Sequence, residues 1–395
     1  MHLVDTVRGM TRILISGAGI GGLALAHALR RGGLDVAVYE REPSPQSRNQ
    51  GYRLHLDPDG NAALRACLPP AVLDRVRDTS GVNGDLVASF TQDLRRVHAQ
   101  EFPGIPDSEL TTIDRDRFRR GLLSGLAEVV TFGRPVTGYE ITRSGRVSIG
   151  FDEGDLLVGA DGVGSAVRRQ LLPHATLRDL GLRCVYGRLP LPAASPTPPP
   201  AAHPTPAPGL ASMPPSDSSR APWIPADFQR GFCWVAGDNG FGAGFAPVHY
   251  RDGQPGYLMI ALVGAADRFD PAQRDPADLW QTVTEATADW HPEIQKILAY
   301  ADSASFFPIT IRASDRVDAW PTGPVTLLGD AVHTMPPAGG VGANTALQDA
   351  ATLAGELLSG APLLDAVASY ERQMLPRGFD TVERSVRMIE QMTSR

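Results

Sequence analysis

Three glycine-bearing stretches carry residues whose types and spacing could do chemistry. They are Gly17-Ala18-Gly19-Ile20-Gly21-Gly22, Gly159-Ala160-Asp161-Gly162, and Gly329-Asp330 running on to Pro337-Ala338-Gly339-Gly340-Val341-Gly342-Ala343-Asn344. In the first, Gly17 permits a tight turn, Gly19 lets backbone approach a pyrophosphate, and Gly22 lets a helix pack closely on a strand. Phosphates held this way sit at a helix N-terminus, where unpaired N–H groups and the dipole favour negative charge. A dinucleotide site of the ordinary kind needs only this first stretch. The other two say that one long cofactor is gripped from three directions.

The elements that must position these turns are legible around them. Ile13, Leu14 and Ile15 read as a buried strand, and Leu23 to Leu29 as an apolar helical run. Val36, Val38 and Tyr39 form the next strand, which Glu40 ends. That lies about twenty residues from the turn, where an acid takes a ribose 2′-OH and disfavours a 2′-phosphate. A glycine-rich turn of another α/β protein would share the first stretch, but not strand, helix and acid together. The cofactor this combination points to is FAD.

Length and composition bound the rest. At 395 residues the chain exceeds what one hydrophobic core usually serves, so two closely packed domains are expected. A net charge of −7 gives no footprint for nucleic acid or an anionic membrane. Cys67, Cys184 and Cys233 have neither metal spacing nor the look of a disulfide framework, and a reducing cytoplasm is expected. No metal site is expected. No apolar run reaches the roughly eighteen residues of a membrane span, and no signal pattern opens the chain. Residues before Met10 read as an extension. Of 37 basic residues only Lys296 is a lysine, so any mechanism that needs one has a single candidate.

From Leu189 to Pro225 the pattern breaks: 13 of the 34 prolines fall there, which predicts an extended or disordered surface loop rather than a ladder or helix. A lid is the alternative. Gly231 to Val235, Phe241 to Val248 and Tyr257 to Val263 read as strands of an antiparallel sheet. Ala346 to Met392 is helical, with breaks expected at Gly360-Ala361-Pro362 and Pro376-Arg377-Gly378.

Together the three stretches resemble the class A single-component FAD-dependent monooxygenases, the p-hydroxybenzoate hydroxylase-like group, over nearly the full length from Met10 apart from the proline-rich segment. The resemblance implies an α/β fold: a doubly wound FAD-binding domain (10–77, 110–180 and 313–358), an inserted antiparallel-sheet substrate domain (78–109 and 181–312) and C-terminal helices (359–395). It implies that Gly17, Gly19 and Gly22 hold the FAD pyrophosphate, that Glu40 takes the adenosine ribose, and that Arg41 lies along the adenosine end. Asp161 and Gly162 match a fingerprint tied to both FAD and the nicotinamide cosubstrate, NADPH or NADH. Gly329 and Asp330 match the ribityl-binding turn, and Pro337, Gly340, Gly342, Ala343 and Asn344 would wrap the flavin ring. Val341 stands where the group commonly has glutamine, which puts a side-chain contact there in doubt. The helix beginning near Asn344 would offer its positive end to an anionic reduced flavin.

Arg115 resembles the arginine that opens a helix and meets the FAD phosphates, with Arg117, Arg119 and Arg120 read as a solvated face. Arg48 is a second flavin-side arginine on a looser match. Arg53 and His55 alternate on a strand beside the flavin and are the catalytic candidates, with structural hydrogen bonding as the alternative. His333 reads as loop support. Trp234, Phe245 and Met259 are candidates to line a substrate cavity, or are simply core. The implied activity is monooxygenation of a small hydrophobic or aromatic substrate, with a nicotinamide cosubstrate as reductant and O₂ adding at flavin C4a. A halogenase, echoed in Trp223-Ile224-Pro225, a flavin dehydrogenase or reductase, and a non-catalytic flavoprotein are the alternatives.

Overall fold

A computed structural model describes residues 11–47, 52–193, 223–270 and 272–393. Arg48, residues 1–10 and most of the proline-rich segment (194–222) lie outside the described residues.

The chain opens with β1 (Arg12–Ser16), α1 (Ile20–Arg31) and β2 (Asp35–Glu40), then β3 (Arg53–Leu54), α2 (Pro58–Cys67) and α3 (Pro70–Asp78). It continues through β4 (Leu86–Thr91), β5 (Arg96–Glu101), β6 (Ile113–Asp114), α4 (Arg115–Leu123) and β7 (Val130–Phe132). Short strands β8 (Glu140–Ile141), β9 (Val147–Ser148) and β10 (Glu153–Gly154) lead into β11 (Leu156–Gly159), α5 (Ala166–Leu171) and the long β12 (Leu177–Pro190). Next come β13 (Gly231–Ala236), β14 (Gly242–Val248), β15 (Tyr257–Ala265), α6 (Pro276–Ala286), α7 (Pro292–Ala299) and β16 (Phe307–Ser314). β17 (Val325–Leu327), α8 (Gly342–Leu358) and α9 (Leu363–Thr393) complete it.

Two sheets divide the work. The first, in the order β17-β11-β1-β2-β7, is wholly parallel. Ile13, Leu14 and Ile15 are fully buried in its centre, which is why β1 is a continuous apolar run rather than an alternating one. The second has seven strands, β16-β12-β15-β14-β13-β4-β5. Its three expected strands are present, but β4 and β13 pair in parallel, Leu86 opposite Gly231, so the sheet is not antiparallel throughout. Long stretches of chain separate those two strands, and that length is what a parallel crossover needs.

The faces of the second sheet differ. One packs Val235, Phe245 and Ile260 on Leu279 of α6 and Ile294 of α7. The other carries Tyr186, Trp234 and Met259, and meets Tyr52, Ala338 and Ile389. That second face is turned toward the third glycine-bearing stretch.

Two expectations need correction. Leu189 and Pro190 belong to β12, opposite Leu258 and Tyr257, so the proline-rich segment begins inside a ladder. β16 accompanies β12 only as far as Tyr186, so beyond it a proline without an N–H removes no bond on that side. The expected break at Pro376 is also absent, and α9 runs through it. Pro376 and Arg372 face solvent, where water can take the carbonyl that the proline leaves unpaired, while Tyr370, Met374 and Phe379 hold the buried face. The break at Gly360 is present, with Gly360 at φ +93° between α8 and α9.

Candidate functional site

The first turn separates two kinds of glycine. Gly17 has φ +108°, and a Cβ there would lie 2.4 Å from the Ala160 carbonyl oxygen; one on Gly22 would lie 2.2 Å from that of Gly17. Both are required by the protein's own packing, which presses the second stretch against the first. Gly19 is not, since the nearest atom to its Cβ would be 3.9 Å away. It precedes α1 without a side-chain cap, and the first-turn N–H groups have no partner within the helix. Space, unpaired donors and dipole together can receive phosphate.

Glu40 is buried at the end of β2 and accepts from Ala18 N at 2.9 Å, Glu42 N at 3.1 Å and Arg119 Nη2 at 3.2 Å. Arg119 also donates through Nε to the Ala18 carbonyl at 2.9 Å and through Nη1 to Glu42 at 3.0 Å. The expectation that Arg119 is solvated is therefore wrong. It is 7% exposed and locks acid to turn. The missed signal is its spacing, four residues after Arg115 and so on the same helix face. Arg117 is paired with Asp252 and lies over the Tyr250 ring, and Arg120 is exposed and paired with Asp116. Arg41 is exposed beside Gly164.

At the second turn Gly162 has φ +76°, and Asp161 Oδ2 accepts from Ala166 N at 2.8 Å. Asp161 Oδ1 is buried and has no hydrogen-bond partner, which is costly unless a ligand donor meets it. Arg168 bridges to the third stretch, donating to the carbonyls of Val163 at 2.9 Å and Ala331 at 3.0 Å.

Under the third stretch lies a compensated charge cluster. Asp349 is fully buried, and its Oδ2 accepts from Gly329 N at 2.9 Å and meets His333 Nε2 at 2.6 Å, while Oδ1 accepts from Arg377 at 2.9 Å. Burial alone would lower the His333 pKa, but Asp349 and Asp330 more than reverse this and hold it above the ordinary value. His333 supports the loop, and Gly378 makes room for it, since a Cβ there would lie 2.4 Å from the imidazole.

Asp330 itself is solvent-accessible, yet protein surrounds it closely enough for burial to raise its carboxyl pKa against the pull of His333 and Arg115. Such a group lies on the floor of a cleft. Arg115 stands there too, its guanidinium 5.8 Å from the centre of the Tyr52 ring. Pro337 is exposed at the head of the next turn, where Gly339 and Gly340 have φ +77° and +65°. Gly342 and Ala343 open α8 half-buried, and a Cβ on Gly342 would find no atom nearer than 3.7 Å. Asn344 differs from the sequence reading: its side chain is engaged by the His55 and Gly340 carbonyls at 3.0 and 3.1 Å and by Asp57 N at 3.1 Å. It staples the turn to the strand, leaving only its backbone for a ligand.

Arg53 and His55 lie together beside this turn. Burial first, and Arg53 second, lower the His55 pKa, and burial takes that of Arg53 down to about 10. His55 Nδ1 is 3.0 Å from the Thr111 carbonyl. Next to them in the chain Tyr52 begins an aromatic stack with Tyr186 and Phe307, at centroid distances of 5.2 and 5.7 Å. Trp234 and Met259 share that sheet face, but Phe245 does not. It stacks on Phe228 at 4.8 Å on the far side, because successive side chains alternate across a strand. Phe245 is therefore core and not cavity.

Comparison with known proteins agrees with this geometry. Residues 222–385 match the family model for an FAD binding domain, and residues 15–61 that for an NAD(P)-binding Rossmann-like domain. A 3-amino-4-hydroxybenzoate 2-monooxygenase of Streptomyces cremeus is 30% identical over 96% of this chain and 87% of its own length. A dual O-methyltransferase/FAD-dependent monooxygenase of Cercospora beticola is also 30% identical, over 94% of this chain, and the chain spans 45% of that longer protein. Among solved structures, one described as an FAD-containing monooxygenase of Photorhabdus luminescens superposes with a TM-score of 0.79 at 26% identity, covering 97% of this chain and 98% of that one. On sequence, fold and the three turns alike, the chain belongs to the family of FAD-dependent monooxygenases.

Proposed function

We propose that the protein holds FAD where the three turns converge and uses NAD(P)H and O₂ to place one oxygen atom, as a hydroxyl, on a small aromatic or otherwise hydrophobic substrate. The convergence itself is the observation that carries this reading. Gly19 and Gly342 leave space that no protein atom needs, at two uncapped helix N-termini. Asp161 Oδ1 awaits a donor and Asp330 lies accessible on the cleft floor. Shapes and charges of this kind fit the pyrophosphate, ribityl hydroxyls and ring carbonyls of FAD.

In this reading Gly17, Gly19 and Gly22 set the pyrophosphate against α1, and Glu40, steadied by Arg119, takes the adenosine ribose with Arg41 alongside. Asp161 and Gly162 meet the middle of the cofactor, Asp330 accepts from the ribityl chain, and Arg115 offsets its charge. The turn from Pro337 to Ala343 brings backbone donors to the ring, and Asn344 holds that turn in place. FAD, when bound, supplies the redox chemistry and the activation of O₂. The chain orients the substrate against the aromatic face and keeps water from the reacting atoms. His55, whose pKa burial and Arg53 lower, can accept or pass on a substrate proton. The Streptomyces relative, named for an aminohydroxybenzoate, supports an aromatic substrate.

A halogenase reading, which would call for a lysine in the cleft, has no such support. Lys296 lies on α7 with Nζ 5.1 Å from the centre of the Trp223 ring, behind the second sheet. The test is to load the protein with FAD, follow NAD(P)H oxidation with candidate aromatic substrates under ¹⁸O₂, and weigh the product. One labelled oxygen atom is expected. Substrate-dependent NAD(P)H loss without label in any product would move the assignment to a dehydrogenase or reductase, and no NAD(P)H oxidation at all to a non-catalytic flavoprotein.

A further inference from the structure

We propose that Met388 is a site of reversible oxidation by hydrogen peroxide, and that its sulfoxide loosens the third glycine-bearing turn and with it FAD; this rests on the cofactor lying at that turn, not on the oxygenation of any substrate. The turn has little stiffness of its own, because Gly339 and Gly340 both have a positive φ, +77° and +65°, where glycine moves freely. What packs on it must therefore help to set its shape. A Cβ on Gly340 would lie 3.2 Å from His55 Cβ, and one on Gly339 would lie 3.2 Å from Met388 Sδ and 3.5 Å from its Cε. From the same end of α9, Ile389 and Met392 pack in one cluster with Ala338.

Met388 joins this contact to access. It is 42% exposed, whereas Met259 is 7% exposed and Met374 is fully buried. The thiols are poor competitors for an oxidant: Cys67, Cys184 and Cys233 are buried, which pushes each up to about 12 and leaves almost no reactive thiolate at neutral pH. The oxidant is one that the site can supply. When no substrate takes the oxygen, one NAD(P)H and one proton reduce O₂ to hydrogen peroxide. The Met388 sulfur attacks one peroxide oxygen, and the O–O bond breaks as the S–O bond forms. Sulfur is oxidised by two electrons, and the second oxygen leaves with both protons as water. The thioether packs on Gly339 as an apolar group, but a sulfoxide is polar and draws the side chain toward water. The turn then loses that contact, and turnover without substrate limits itself by weakening the hold on FAD.

The test treats the full chain with hydrogen peroxide, maps the oxidised methionines by mass spectrometry, and titrates FAD into the apoprotein by fluorescence before and after treatment. Met388 should gain oxygen ahead of Met259 and Met374, and FAD should then bind on the order of fivefold more weakly. Methionine sulfoxide reductases for both epimers should restore the affinity. Met388→Leu, which has no sulfur to oxidise, should show the same affinity before and after peroxide. Met388→Gln, which puts a polar group in place of the sulfoxide, should bind FAD more weakly than the untreated protein with no peroxide added. The proposal is overturned if Met388 is oxidised no faster than Met374, if its sulfoxide leaves FAD affinity unchanged, or if Met388→Leu loses as much affinity under peroxide. In a second arm the FAD-loaded protein consumes NAD(P)H and O₂ without substrate, and Met388 should be oxidised unless catalase is present. Consumption that leaves Met388 unmodified also overturns the proposal. Failure to oxidise NAD(P)H at all would sink the monooxygenase reading, while added peroxide still decides the role of Met388.

Discussion

Asp349 and Arg53 are both charged groups beside the candidate site, Asp349 fully buried and Arg53 half-buried, and they are treated in opposite ways. Asp349 is matched on every side, by Gly329 N, His333 and Arg377. Arg53 is matched by a single long bond to a hydroxyl. A compensated charge fixes backbone, because breaking any one contact leaves an ion in low dielectric. A charge with few partners among the described residues contributes less to holding the backbone in place. The partners gathered around a charge decide whether it can serve as scaffold.

The largest effect should come from breaking the matched cluster. Asp349→Leu leaves His333 and Arg377 without their acid and releases Gly329 N, so urea unfolding should show a loss of about 3–5 kcal/mol. FAD retention on gel filtration should fall with it, and unaltered stability would refute the scaffold role. Arg119→Leu comes next: it removes the cation that the buried Glu40 shares with Glu42, with an expected loss of about 3 kcal/mol. The glycines of the first turn sharpen the contrast between scaffold and surface. Gly17→Ala forces a strained φ and a clash, costing about 1–3 kcal/mol of stability. Gly19→Ala should change stability by no more than about 0.5 kcal/mol while weakening FAD binding, as fluorescence titration of the apoprotein can show.

The smallest effect is the pH dependence of the cluster. With the His333 pKa held above its ordinary 6.5, its contribution to stability is complete below 6.5 and is lost as pH rises through the higher folded value. Burial would raise the Asp349 pKa, but His333 and Arg377 hold it below 3.8, so its contribution is complete above 3.8 and lost as pH falls through the lower folded value. Urea unfolding between about pH 5 and 9 should show an alkaline decline that His333→Gln removes. The same decline in the variant would place its origin elsewhere.

Much of the parallel sheet was legible because its signals are local. β1, the Gly17 turn and Glu40 declare themselves within about thirty residues, since strand, turn and helix each have their own chemistry. The second sheet was half legible. Its three apolar strands stand out between turn residues, but β5 and β12 are interrupted by charged residues, and β4 and β16 are mixed runs far from their partners in the chain. Phe245 shows the limit most clearly, for alternation says that Trp234 and Phe245 each have a face without saying which face meets the cleft. Arg119 was misread because its partners, Ala18, Glu40 and Glu42, are more than seventy residues away in the chain.

The sequence by itself determined three glycine-bearing turns and the acid that ends β2, the features on which the FAD proposal rests. Those are properties of backbone freedom and spacing, which each segment carries with it. Only the tertiary structure decided which charges are satisfied: that Asp349, His333 and Arg377 complete one another, that Asn344 is engaged by the strand beside it, and that Arg53 has one long hydrogen bond among the described residues. Compensation is a property of pairs, and here the partners sit on different elements, from 16 residues apart for His333 and Asp349 to 289 for Asn344 and His55, so no single stretch of the chain can say whether a charge is satisfied.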